Sequence, residues 1–447
     1  MKVAKFGGSS LANAEQIKKT CDIILSDPRR RLIVVSAPGK FYDGDIKVTD
    51  MLIACVNAFL DGGDYEKVLR DIIRRFSVMA DELKVEGVLE DIEKDIRGRL
   101  DPAMNPSKLM DSMKAAGEDN NARFVAAYLK SLGHDASYLS PREYGMTLSD
   151  QFGNAVVLDE TYDNLSVLAN IKGIGIFPGF FGFSKQGDIV TFPRGGSDIT
   201  GAILAAAVKA EVYENFTDVD YVYSVSPKIV KNPKPVRYLS YREMRELSYS
   251  GFNVYQEEAL APVYRANVPI NIRNVNNPSC EGSLILHDYE HTVHPVTGIA
   301  SDDHFCCINI RKLLMNREIG YVRRILSVLE EEGVSFEHLP SGIDDITLII
   351  KESALKEGQF DRIVEKIQNA VQTDELSVEK NLSLIVIVGE KLLNNIGIAA
   401  RTTKAFADNK INIKMLSQGA SEISMIFAVD TKDCGRAVAA LYHEFFD

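Results

Sequence analysis

The sequence predicts an α/β protein with a mostly parallel sheet, followed by two small α+β domains built from a repeat. Three observations carry this expectation. Short β-branched runs alternate with amphipathic stretches through the first 286 residues, glycine-rich turns join several runs to helices, and two C-terminal stretches align without a gap. At 447 residues the chain exceeds what one hydrophobic core holds, so two or three domains are expected.

Met1–Phe6 reads as a strand ending in Gly7-Gly8-Ser9-Ser10. Leu11, Ala14, Ile17, Cys21, Ile24 and Leu25 then recur at helical spacing, with Ser9 or Ser10 expected as the N-cap. Leu32–Ser36 is a continuous apolar strand of the kind buried on both faces. Thr49 and Glu118 are each placed at a helix start, and Asp64–Met113 reads as a charged helical excursion. A helix over Val125–Leu132 ends at Gly133. Strands are expected at Gly173–Pro178, Val212–Phe216 and Pro269–Arg273, with a hairpin turn at Lys185–Asp188. Asp288–Pro295 is polar and reads as a linker. Beyond it, Gly320 and Gly397, Leu339 and Leu416, Gly342 and Gly419, and Ile346 and Ile423 all stand 77 residues apart. Each copy reads as helix, strand, glycine turn, strand, half of a ferredoxin-like unit.

Composition excludes several classes. An apolar share of 45% with 26% charged residues is that of a globular chain, not a disordered, collagenous or coiled-coil one. A formal charge of −12 weighs against nucleic acid as a partner. The apolar runs fall well short of the ~18 residues a membrane span needs, and Met1–Glu15 lacks the apolar centre of a signal peptide. Six scattered cysteines without a CxxC pair read as reduced thiols. The expectation is a cytoplasmic protein with no membrane partner.

Two motifs point to chemistry. Lys5-Phe6-Gly7-Gly8-Ser9-Ser10 puts a lysine at a strand end and glycines before a helix, where backbone N–H groups attract phosphate oxygens. A plain capped turn would look the same. Arg194-Gly195-Gly196-Ser197-Asp198 leads into a helix over Ile199–Ala207. There Arg194 suits a carboxylate or phosphate, and Asp198 suits an ammonium or Lys5. Thr217-Asp218 follows a strand, where ligands of parallel sheets sit. His287, His291 and His294 have no partnering cysteine and read as a solvated loop, so no metal ligand is expected.

Together KFGGSS, RGGSD, the TDV at 217–219 and INIKMLSQGASEISMIFAVD resemble the aspartokinases, in order and over essentially the whole chain. The resemblance implies a three-layer α/β/α amino-acid-kinase sandwich over 1–290. It also implies two ACT domains, at 299–376 and 381–447, with Gly298–Ile310 free to pair with the last repeat. It implies ATP with Mg2+ and L-aspartate as substrates. Lys5, Gly7, Gly8, Ser9 and Ser36 would face the phosphates, with Asp198 orienting Lys5. Thr49, Glu118, Arg194 and Ser197 would hold aspartate, and Thr217, Asp218, Tyr223 and Lys228 would line the nucleotide pocket. Lysine or threonine would be the effector, at Glu318, Gly320, Tyr321, Val322, Ser335 and Glu337. Ser417–Glu422 would form an oligomer surface.

The chain departs from the family pattern in three places. Val225-Ser226-Pro227-Lys228 replaces TDPR, which keeps a charge but loses a bidentate fork. Asn253 and Gln256 stand in a segment that usually reads GAKVLHP, and Asp119-Asn120-Asn121 replaces a serine-bearing stretch. The rival readings are a kinase for another carboxylate and a catalytically silent amino-acid sensor.

Overall fold

The structure, a computed structural model, describes residues 1–193, 195–252, 254–289, 294–392, 395–418 and 423–447. It falls into two compact units. One comprises Met1–Val222, Pro235–Arg245 and Asn253–Tyr289, the other Tyr223–Lys234, Glu246–Phe252 and Glu290–Asp447.

In the first unit, eight described strands form one sheet. Their spatial order is Tyr238–Ser240, Ser283–Leu286, Ile270–Asn274, Val212–Thr217, Lys2–Phe6, Arg30–Val35, Ile174–Pro178 and Ala136–Tyr138. Only the pairing of Ile270–Asn274 with Ser283–Leu286 is antiparallel. The chain leaves Lys2–Phe6 toward Arg30–Val35 on one side and later returns to Val212–Thr217 on the other. The winding therefore reverses at Lys2–Phe6, and the connecting loops diverge there to leave a crevice at the carboxyl ends of the strands.

The pleat sorts the two faces of this sheet. Ala4, Phe6, Ile33, Val35, Ile176 and Phe216 pack against the helices Ala14–Ser26, Val48–Leu60, Tyr65–Leu83, Val88–Gly98 and Pro106–Ser131. Phe6 and Phe216 stack at 4.7 Å, worth about 0.5–1.5 kcal/mol beyond their burial. Lys5, Tyr213 and Asn215 point the other way, to the helix Gly196–Ala207. The result is three layers. The charged excursion folds because Leu69, Ile72, Phe76, Met79 and Leu83 recur along one buried stripe of its first helix.

Two local expectations are corrected, and a third is met. The first helix is capped by Asn13, which accepts from the Gln16 N–H at 3.0 Å, because Gly8–Leu11 forms its own 3-10 turn and moves Ser9 and Ser10 out of reach. Thr49 is at a helix start as expected, in the first turn, with Lys47 at the cap. Glu118 sits mid-way along the 26-residue helix Pro106–Ser131, which starts earlier at an Asn105 cap followed by a proline.

The second unit holds one five-stranded antiparallel sheet. Its order is Asp345–Lys351, Gly298–Arg311, Glu375–Val388, Ser424–Asp430 and Met415–Ser417. The two 14-residue strands run through two cores. Ile299, Ile385 and Ile387 join Phe406, Phe427 and Leu441 in one. Ile308 and Ile310 join Tyr321, Ile325, Leu348 and Ile363 in the other. The expected first strand of the first repeat is reduced to isolated bridges, His338 with Ile349 and Ser341 with Ile346. Pro340, between them, has no N–H to offer a ladder. Among the described residues no helix is long and apolar enough to cross a membrane.

The corrected cap is testable. Asn13→Ala should lower stability by about 1 kcal/mol in denaturant titration, while Ser9→Ala, at an exposed position, should leave it unchanged.

Candidate active site

The site begins with an ammonium group that has little access to water. Lys5 is 9% exposed at the end of the central strand, and its Nζ lies 2.6 Å from Asp198 Oδ1. Asp198 is the third residue of the helix Gly196–Ala207, so the two motifs read separately in the sequence meet here. Ser197, beside it, is buried against the Gly179 backbone.

Around this pair the strand ends supply backbone. The Gly39 N–H donates to the Gly8 carbonyl at 2.9 Å, and a Cβ on Gly39 would stand 2.6 Å from that oxygen. Only glycine lets the two loops touch main chain to main chain. Gly7 and Gly8 are half-buried and Ser9 is exposed, so the N–H groups of this turn border solvent. Ser36 ends the neighbouring strand. Its N–H donates to the Phe6 carbonyl at 3.2 Å, and its own carbonyl accepts from Asn121 Nδ2 at 2.7 Å. Thr49, half-buried, begins the helix that follows this loop.

Glu118 is the opposite of Asp198. Its side chain accepts from the Ala37 N–H, but Oε2 has no partner and the residue is 5% exposed. Burial raises its carboxyl from the ordinary 4.5 to about 8. Its neighbours along the helix are only partly satisfied, since Asn120 Oδ1 and Asn121 Oδ1 are also buried without a partner. Asp119 pairs with Arg99 at 2.6 Å and accepts from the Tyr138 hydroxyl, and Asn120 donates to Asp95 at 2.8 Å. Among the described carboxyls of this helix, Glu118 is the one with a buried oxygen that has no partner.

The remaining expected residues are distributed. Thr217 ends its strand, its hydroxyl 3.2 Å from Asp218 Oδ1. Tyr223 and the exposed Lys228 belong to the second unit. Arg194 and Asn253 lie outside the described residues, as does His291; Gln256 folds over Gly195. His287 stacks on Tyr264 at 4.4 Å. Among the described residues no cluster of His, Cys, Asp or Glu could hold a metal.

The regulatory candidates lie in the second unit. Gly320 precedes the helix Tyr321–Glu332, Val322 is half-buried in its first turn, and Tyr321 is buried with its hydroxyl donating to the Gln372 carbonyl at 3.0 Å. Glu318 pairs with Arg324 and lies 3.9 Å from Lys312. Ser335 is exposed after the helix, and Glu337 accepts from the Tyr249 hydroxyl. The sequence reading passed over Asn215, an amide inside a central parallel strand, where an unexplained polar residue was itself the signal.

Glu118 sets a stability cost with a defined sign. The unfolded carboxyl ionises near 4.5 and the folded one near 8, so stability is lost as pH rises between them, at about 1.4 kcal/mol per pH unit. Glu118→Gln keeps the acceptor for Ala37 and removes the ionisation. Its stability relative to the parent should therefore increase from pH 5 to pH 8 in denaturant titrations; a pH-independent difference would contradict the burial argument.

Comparison with known proteins gives the family and the fold. A family model described as the amino acid kinase family matches residues 1–274, and one described as an ACT domain matches residues 385–445. Aspartokinase 3 of Bacillus subtilis is 49% identical over all of this chain and 99% of its own length. The crystal structure of Clostridium acetobutylicum aspartate kinase superposes with a TM-score of 0.89 at 38% identity, covering all of both chains. Escherichia coli aspartokinase III, solved with aspartate and ADP, shares the fold at a TM-score of 0.81 and 23% identity, again over all of both chains. A buried lysine–aspartate pair at the reversal of a parallel sheet, two C-terminal repeats and identity over the full length together place the chain in the amino acid kinase family, among the aspartokinases.

Proposed function

We propose that the protein transfers the γ-phosphoryl group of ATP to the β-carboxylate of L-aspartate, giving 4-phospho-L-aspartate and ADP. The observation that carries this reading is the pairing of unlike sites in one crevice. A lysine held by Asp198 stands at glycine-lined backbone, and an unsatisfied buried carboxyl, Glu118, reaches the backbone of Ala37, which lies against Gly8 of that lining. A β-carboxylate oxygen attacks the γ-phosphorus, the bond to the bridging oxygen breaks, and ADP leaves with the electron pair. The attacking group has an ordinary pKa of ~3.9 and is ionised at neutral pH, so no general base is required. Catalysis then consists of positioning, with Lys5 and the Gly7-Gly8-Ser9 backbone facing the phosphates and Ser36 beside them.

Glu118 would take the α-ammonium of aspartate. The incoming cation supplies the partner that Oε2 lacks and draws off the proton that burial retains. Thr49, Ser197 and Arg194 complete this side of the proposal, and Thr217, Asp218, Tyr223 and Lys228 the nucleotide side. Magnesium would come as the counter-ion of the triphosphate, since the described residues provide no cage for it. The six free cysteines support a reducing, cytoplasmic setting.

The repeats are proposed to bind an end-product amino acid, lysine or threonine, and to join copies of the chain. In support, the Clostridium relative is described as an allosteric enzyme. The helix start after Gly320 would meet the effector's carboxylate, with Glu318, Tyr321, Val322, Ser335 and Glu337 around it.

Two measurements test the reading. A coupled assay of ADP release should show turnover that depends on aspartate, and Lys5→Ala should abolish it in a folded protein; undiminished kcat in that variant would end the assignment of Lys5. Lysine or threonine should inhibit the parent enzyme, and Glu337→Ala should weaken that inhibition without altering uninhibited kcat. If neither amino acid changes the rate or binds in calorimetry, the regulatory reading fails.

A further inference from the structure

We propose that Asn215 is a positioning residue of the phosphoryl-transfer site, fixing with Tyr213 the Asp198 carboxylate that holds Lys5. Lys5 and Asn215 face each other across the parallel pairing of the two central strands. Asn215 is 1% exposed, and its Nδ2 donates to Asp198 Oδ1 at 2.6 Å, the same oxygen that receives Lys5 Nζ at 2.6 Å. A side-chain amide buried in a central strand forgoes water, so its donor must be used. Here it is used on a carboxylate of the site.

Tyr213 is two residues back on the same face of the strand, fully buried. Its hydroxyl donates to the Asp198 main-chain carbonyl at 3.1 Å and accepts from Asn215 Nδ2 at 3.3 Å. It reaches this position by passing over Gly201, where a Cβ would come within 2.4 Å of the hydroxyl oxygen. Asp198 is therefore held at both its side chain and its main chain by one strand. The donor is neutral, which matters: a cation in its place would compete with Lys5 for the carboxylate. With Oδ1 fixed, Lys5 makes one bond to Asp198 and keeps its other N–H groups for the phosphate. Among the described residues, the charged and titratable groups that interact with Asp198 are Lys5, Tyr213 and Tyr255.

The inference rests on the proposed kinase reading, and the test separates the two. Parent, Asn215→Leu, Asn215→Asp and Tyr213→Phe are assayed for aspartate-dependent ADP release from pH 6 to pH 9, with folding checked by thermal melts. Asn215→Leu should lower kcat tenfold or more while KM for aspartate and ATP changes less than threefold. Tyr213→Phe should lower kcat several-fold in the same pattern. Asn215→Asp is nearly isosteric and reads the position directly. When its new carboxyl is protonated it donates to Asp198 as the amide does; when ionised it repels Asp198 and competes for Lys5. Its kcat relative to the parent should therefore rise at least fivefold as pH falls across the range. A merely structural role would give a pH-independent ratio. A folded Asn215→Leu with parental kcat, or a flat ratio for Asn215→Asp, overturns the inference and leaves the kinase reading intact. A parent without aspartate-dependent turnover overturns both.

Discussion

The ion pair between Lys5 and Asp198 is the constraint around which the first unit is arranged. An ammonium group that is 9% exposed is costly to bury without a carboxylate in contact. That requirement fixes the first turn of Gly196–Ala207 against the end of Lys2–Phe6, and hence the crossover that brings Val212–Thr217 beside it. The same strand separates two kinds of work. Ala4 and Phe6 bury into the helical layer while Lys5 faces the opposite side, so a period of two keeps the core and the charge apart. The position of the pair at the reversal of the sheet then follows, because that is where neighbouring loops diverge.

Two carboxyl groups of the first unit, Asp198 and Glu118, differ entirely in supply of partners. Asp198 receives a lysine and an amide on one oxygen. Glu118 has an oxygen with nothing on it, and burial holds its proton to about pH 8. A protein optimised only for stability would place glutamine or an apolar side chain there. Asn120 Oδ1 and Asn121 Oδ1 are orphaned beside it. Glu118, however, is the acid left without a cation where Asp95 and Asp119 both pair with Arg99, and a buried acid of that kind suits an incoming cation. The neighbouring network also explains how Asp119-Asn120-Asn121 can be tolerated in the middle of a buried helix. Asp119 pairs with Arg99, and the Nδ2 groups of Asn120 and Asn121 donate to Asp95 and to the Ser36 carbonyl, although both amide oxygens are left without a partner.

How far this was legible in the sequence depended on the range of the signal. The strand Arg30–Val35 was readable from its continuous apolar stretch Leu32–Val35, the mark of a strand buried on both faces, and Lys2–Phe6 and Ile174–Pro178 from short apolar runs bounded by glycines. The Lys5 and Asp198 motifs were each visible, and the resemblance to aspartokinases joined them. Local capping was less legible. Ser9 and Ser10 looked like caps because nothing in the sequence reveals a 3-10 turn that lets Asn13 take the role. Glu118 looked like a helix start because polar residues follow it; their burial depends on tertiary partners such as Arg99, 20 residues from Asp119. The first repeat's missing strand was in principle readable from Pro340, but the alignment with the second repeat argued the other way.

The second unit shows why two repeats need not behave as two bodies. The strands Gly298–Arg311 and Glu375–Val388 each contribute to both cores, so neither repeat can change its packing without moving a strand that the other one uses. The bulge at Asp302–Phe305, with His304 in a left-handed conformation, marks where each strand passes from one core to the other. Tyr223–Lys234 belongs to this unit as well, and Val225, Ile229 and Val230 pack into the core of the second repeat. Under the proposed function, Tyr223 and Lys228 on that segment are nucleotide residues. An effector that favours one packing of the repeats then acts on them through strands and core contacts internal to one unit. By linkage the nucleotide acts back on the effector with the same coupling free energy.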